Sequence, residues 1–95
     1  MSEMIDAAVK ALSAKMSGGF DGVAKFVIPG EGAIMMDAAG VRAGDDEADV
    51  TLTAEADVFR SILDGEMNPT MAFMTGKLSV DGNMGLAMQL GAALG

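Results

Sequence analysis

Met71, Met74, Met84 and Met88 crowd one short stretch, NPTMAFMTGKLSVDGNMGLAMQL, residues 68–90. A thioether on an unbranched, flexible side chain does one of two things. It fills an irregular gap in a core, or it lines a surface that must accept more than one shape. Both readings are open from composition alone. Other chemistry has few carriers. The chain has no Cys, His, Tyr or Trp. Without Cys there is no disulfide, thiolate or Cys-based metal site. Without His the usual general base at neutral pH and the commonest metal ligand are missing. Carboxylates, lysines and hydroxyls remain, but no G-x-S-x-G or phosphate-loop motif arranges them. The expected protein is not an enzyme and needs no cofactor.

Three smaller features have plainer readings. Asp45-Asp46-Glu47 with Asp49 is acidic enough for calcium, yet it lacks EF-hand spacing and the turning glycine. It reads as a solvated turn, and no metal site is expected. Gly82-Asn83-Met84-Gly85 matches a GxxG nucleic-acid loop, but basic neighbours are missing and the net charge is −8. Such a surface repels phosphate, so no nucleic-acid partner is expected. As a strand-to-helix turn the loop could still offer backbone N–H groups to an anionic head group. Gln89, between Met88 and Leu90, reads as solvated or as a hydrogen-bond donor at a site mouth. Phe73 reads as a structural anchor.

The elements that must position these residues follow from periodicity. Ninety-five residues suit one domain, 1–95. Ile5, Val9, Leu12 and Met16 mark one face of a helix over about 3–16, which Gly18 and Gly19 stop. From Phe20 the period changes to two, and Phe20, Gly22, Ala24, Phe26 and Ile28 form one strand face opposite Asp21, Val23, Lys25 and Val27. Pro29 to Gly32 is a turn, Ala33–Ala38 a second strand and Val41–Ala43 a short third. Ala48, Val50 and Leu52 alternate with polar residues in a fourth strand. Thr53 is expected to cap the next helix, which buries Val58, Phe59, Ile62 and Leu63 and ends at Gly65. Asn68-Pro69 starts a short helix that stops at Gly76. Lys77 to Asp81 is a last strand, and Asn83 caps a final helix. The fold class is α+β, with helices laid on a mostly antiparallel sheet.

Thr51-Leu52-Thr53, Phe59, Asp64-Gly65, Asn68-Pro69, Ala72-Phe73-Met74, Gly76-Lys77-Leu78 and Gly82-Asn83-Met84 together resemble the sterol carrier protein 2 family. The run AFMTGKLSVDGNMGLAMQL, residues 72–90, carries most of the resemblance; outside 51–90 it is one of pattern. The resemblance implies a small stand-alone domain of bacterial type. It implies a five-stranded sheet covered on one side by helices, with an apolar tunnel between them. It implies a non-catalytic carrier of fatty acyl, sterol-like or isoprenoid lipids, with a lipid-using enzyme as a further partner. The residues assigned to the tunnel are Phe26, Met36, Phe59, Ile62, Leu63, Met71, Met74, Val80, Met84, Ala87, Met88, Leu90 and Leu94. The chain is more acidic than animal carriers and shorter at its C-terminus, and it lacks a peroxisomal tripeptide.

Physical chemistry supports the methionines in such a role. A sealed, empty pocket of about 300 Å³ would cost on the order of 7 kcal/mol, against a total stability of about 5–15 kcal/mol. The lining must therefore move inward when no ligand is present, and Met can do so. Five of the ten methionines lie between 67 and 88. The competing expectation is a regulatory or interaction subunit whose Met-rich groove binds a partner helix. No apolar run approaches the roughly 18 residues of a membrane span, and no basic cluster favours anionic lipid. No stable membrane insertion is expected. The N-terminus, with Glu3 and Asp6, does not read as a signal peptide. The expectation is a cytoplasmic monomer.

Overall fold

A computed structural model describes residues 3–15 and 22–94, of which 93 and 94 by backbone alone. The expectations placed on Met16, Gly18, Gly19, Phe20 and Asp21 fall outside the described residues. The element order is helix α1 (Glu3–Lys15), strands β1 (Ala24–Ile28), β2 (Gly32–Asp37), β3 (Gly40–Ala43) and β4 (Val50–Ala54), helices α2 (Ala56–Leu63) and α3 (Pro69–Met74), strand β5 (Leu78–Gly82) and helix α4 (Met84–Leu94). Among the described residues this is an α+β fold with a five-stranded sheet in the order β3-β2-β1-β4-β5.

Period-two burial sets the inner face of the sheet. Ala24, Phe26 and Ile28 of β1 are buried, as are Val50, Leu52 and Ala54 of β4. The register brings Phe26 opposite Ile34 on β2 and Leu52 on β4. Three pairings are antiparallel, and only β1–β4 among these strands runs parallel. Helix α1 presents Ile5, Ala8 and Leu12 to the core, a helical spacing that makes one apolar stripe. It rests on β2, β3 and α2, whereas α3 rests on β5 and α4 rests on β4 and β5. The helices thus divide the sheet. Ile5, Leu12, Phe26, Ile34, Met36, Phe59 and Ile62 belong to one packed cluster that continues through Leu52, Ala54, Leu78 and Leu90. The Phe26 and Phe59 rings meet with centroids 5.2 Å apart and planes tilted by 41°, a favourable aromatic geometry.

Met35 points to the other face and is nevertheless fully buried. The acidic segment after β3 covers it: the Asp46 N–H donates to Met35 Sδ at 3.5 Å, and a Cβ on Gly44 would stand 3.2 Å from Met35 Cγ. Asp45 ties down the same segment through Lys25, at 2.9 Å. Further along the sheet, the Arg42 guanidinium bonds Asp37 at 2.9 Å. Together with the Ala39 N–H, it holds the Asp37 carboxyl below the usual carboxylate range.

One cap differs from expectation. Thr53 does not cap α2; it stays in β4, paired with Val27 and Ser79. The ladder on both sides holds its backbone extended, so the chain leaves the sheet two residues later. Glu55 takes the N-cap position without a side-chain cap bond, and the first helical bond runs from the Phe59 N–H to the Glu55 carbonyl at 2.9 Å.

Candidate functional site

A groove opens beside the β4–β5 side of the sheet. Leu52 faces Val80 across the β4–β5 ladder, and Ala54 faces Leu78. Leu52, Leu78 and Val80 form the floor of a groove of about 570 Å³, within the size range of small-molecule pockets. One wall is α3 with its cap: Asn68, Pro69, Thr70, Phe73 and Met74. The other is α4: Met84, Ala87, Met88, Gly91 and Ala92. Positions 84, 87, 88, 91 and 92 recur at helical spacing, so one face of α4 supplies the whole wall. Its residues explain why the groove exists. Ala87, Gly91 and Ala92 are too small to reach across it, and a Cβ on Gly91 would have no atom within 4 Å. Leu90, one turn on from Ala87, is buried in the core.

Among the described residues no charged side chain lines the groove, and the polar side chains of its lining are those of Asn68 and Thr70. The methionines sit at its mouth. Met74 on α3 and Met88 on α4 are each 74% exposed, and Met84 is 48% exposed. Leaving large apolar side chains in water without a partner is unfavourable, and the exposed large hydrophobics described all lie on α3 and α4.

The walls are held by asparagines. Asn68 Oδ1 accepts from the Thr70 and Met71 N–H groups at 2.8 and 3.3 Å, with Pro69 at the first helical position. At the other end of α3, the Thr75 hydroxyl donates to the Met71 carbonyl at 2.9 Å. Asn83 Oδ1 accepts from the Leu86 N–H at 3.1 Å and so caps α4. A six-residue helix depends on its caps more than a long one does. Asn68→Ala is therefore expected to lower stability by about 1 kcal/mol and to loosen the α3 wall. Urea denaturation would measure the first effect, and hydrogen exchange at the Met71 and Ala72 amides the second.

Of the residues assigned from the sequence, the structure brings Met74, Val80, Met84, Ala87 and Met88 together on the groove. Phe26, Met36, Phe59, Ile62 and Leu90 lie in the packed core instead. Leu63 is half-buried against that core. Met71 is exposed on α3, outside the lining, and the side chain of Leu94 falls outside the described residues. Phe73, expected as an anchor, is 44% exposed and lines the groove. Gln89 is exposed. Leu52, Asn68, Pro69, Thr70, Phe73, Leu78, Gly91 and Ala92 were not assigned. Their signal was available: Leu52 and Leu78 share the inward strand phase with Val80, and 91 and 92 continue the 84–87–88 stripe. Among the described residues, no group of three or more acidic, His or Cys side chains is placed to hold a metal ion. No helix among them is long and apolar enough to cross a membrane.

The profile of the SCP-2 sterol transfer family matches residues 3–95. This chain belongs to that family. Hydroxysteroid dehydrogenase-like protein 2 of Xenopus laevis is 39% identical over 82 residues, covering 78% of this chain and 20% of that protein. Human sterol carrier protein 2 is 50% identical over 46 residues, 48% of this chain and 8% of that protein. The chain therefore spans about a fifth or less of these relatives' length, and most of the named dehydrogenase has no counterpart here. Among solved structures, sterol carrier protein-2 of Aedes aegypti in complex with the C16 fatty acid palmitate superimposes with a TM-score of 0.78. It is 25% identical, with coverage of 99% of this chain and 96% of that one. Sterol carrier protein 2 like 2 of the same organism gives a TM-score of 0.79 at 20% identity, covering 94% of each chain. The SCP-2 family chain described here shares their α+β fold.

Proposed function

We propose that this SCP-2 domain is a non-catalytic lipid carrier that holds the apolar part of a fatty acyl, sterol-like or isoprenoid lipid in the groove between β4–β5 and helices α3 and α4. The observation that carries the reading is an open groove of about 570 Å³ with no charged lining residue, rimmed by solvent-exposed methionines. The palmitate complex of a relative 25% identical supports it. Each buried methylene contributes about 0.8 kcal/mol, so a sixteen-carbon chain offers about 12 kcal/mol gross. Immobilisation removes a large share, which leaves micromolar to nanomolar affinity with the head group at the open mouth. The net charge of −8 supports a monomer through self-repulsion, acting in the cytoplasm and passing its lipid to a lipid-using enzyme.

Palmitate binding by native mass spectrometry and calorimetry tests the reading. Met74→Glu combined with Met88→Glu should weaken binding at least about tenfold, because a charge beside the chain must lose water as the chain seats. The fold should hold, since both side chains are mostly exposed and such surface changes typically stay within about 0.5 kcal/mol. Unchanged palmitate affinity in this variant would remove the groove from the reading. A parent protein that takes up no lipid but captures an amphipathic helix would favour an interaction subunit.

A further inference from the structure

We propose that Met74, Met84 and Met88 form a sulfoxidation site through which a hydroperoxide oxidant lowers the groove's hold on lipid. This inference rests on the lipid-binding reading above. Three observations converge on it. The chain has no cysteine, so thioethers are its only oxidisable sulfurs. The methionines differ in exposure: Met74, Met84 and Met88 line the groove and are exposed, Met4 and Met67 are half-buried against the core, and Met35 and Met36 are fully buried in the two faces of the sheet. The groove lining is otherwise uncharged and mostly aliphatic.

The step is an oxygen transfer. A groove thioether attacks the distal oxygen of the peroxide, the O–O bond breaks and a sulfur–oxygen bond forms. The proton on the transferred oxygen passes to the leaving oxygen. The sulfur is oxidised by two electrons to the sulfoxide. The hydroperoxide is reduced to an alcohol, or to water where the oxidant is hydrogen peroxide. The product is polar and chiral, and methionine sulfoxide reductases reverse it. A sulfoxide at the groove wall prefers water, so an acyl chain seated against it must strip that water without offering a hydrogen bond. Met35 and Met36 are shielded at 0% exposure, and Met4 and Met67 are half-buried, so the groove methionines are the more accessible to the oxidant. Met71 provides an internal contrast, being 59% exposed on α3 but outside the groove lining.

The test treats the full chain with hydrogen peroxide and removes the peroxide with catalase. Sulfoxides are then mapped by peptide mass spectrometry, and binding of a fluorophore-labelled C16 acyl chain is measured. Met74, Met84 and Met88 should oxidise well before Met35 and Met36, with native circular dichroism retained. Acyl-chain affinity should fall about tenfold or more in step with them and return after reductase treatment. A triple variant with Met74→Leu, Met84→Leu and Met88→Leu sets its own baseline, and peroxide should leave that baseline unmoved. Met71→Leu should keep the full peroxide response. Binding that survives complete oxidation of the three residues overturns the inference alone, as does an equal loss in the triple variant. Failure of the untreated protein to bind the acyl chain overturns the lipid reading and this inference with it.

Discussion

Phe59→Ala is expected to lower the unfolding free energy by about 3–5 kcal/mol, the range for emptying a buried aromatic site. Phe59 is 1% exposed and packs on Phe26 at 5.2 Å, joining α2 to the centre of the sheet. Truncation loses the transfer free energy of the ring and leaves a cavity between elements that cannot close it. Phe26 sits on β1, fixed by ladders to β2 and β4, so it cannot follow the departing ring. With a total stability of about 5–15 kcal/mol for a small domain, the variant would be marginal. Urea denaturation of the parent, Phe59→Leu and Phe59→Ala would order the three, with Leu close to the parent. A midpoint for Phe59→Ala indistinguishable from the parent would contradict the packing described. The marginal variant also gives a sensitive ligand assay. A lipid at about 100 times its Kd should restore about 2.7 kcal/mol, which appears as a rise in Tm.

Gly82→Val is expected to lose both stability and the groove. Gly82 has φ +103°, a region that a β-branched residue enters only with strain of about 1–3 kcal/mol. Space is lacking as well: a Cβ there would collide with the Asp49 carbonyl oxygen and stand 3.1 Å from Val50 Cα. Backbone cannot step aside as a side-chain tip can, and overpacking of this kind adds about 1–3 kcal/mol. The same Asp49 carbonyl accepts from the Asn83 N–H at 2.9 Å, and Asn83 caps α4. Displacing this junction tilts the helix that forms one wall of the groove. A total loss on the order of 4 kcal/mol, with acyl-chain binding lost even at low temperature, is the expected result. Gly65→Ala is the control. Its φ is +80°, but no atom lies within 4 Å of an added Cβ, so strain acts alone at about 1 kcal/mol and binding should persist.

The groove-facing part of the site was readable only in phase. The spacing of Met84, Ala87 and Met88 placed them on one side of α4, and the alternation of Leu78 and Val80 placed both on one face of β5. Phase says which residues point inward; it does not say what they meet there. Phe26 has the same inward strand phase as Leu52 and Val80, and Phe59 and Ile62 share the buried face of α2. Phe26 and Phe59 pack ring to ring in the core with Ile62 buried beside them, while Leu52, a member of the same core, also lines the groove with Val80. The difference lies in Ala87, Gly91 and Ala92, whose side chains are too short to fill the gap opposite the sheet.

What the sequence by itself determined was local. Asn68-Pro69 and Asn83 started their helices because their side chains satisfy backbone donors within three residues. The strand periods set the inner face, the 72–90 run pointed to the family, and the missing His and Cys bounded the chemistry. What only the tertiary structure decided was non-local. The parallel β1–β4 pairing joins segments separated by two strands, β2 and β3, and no short-range pattern encodes it. Thr53 kept its strand because partners on both sides, Val27 and Ser79, outweighed one capping bond. Met35 was buried by a loop whose own residues are acidic, which composition reads as solvated. The division of apolar residues into core and groove likewise came from which helix lies over which strands, a property of the assembled layers and of no single segment.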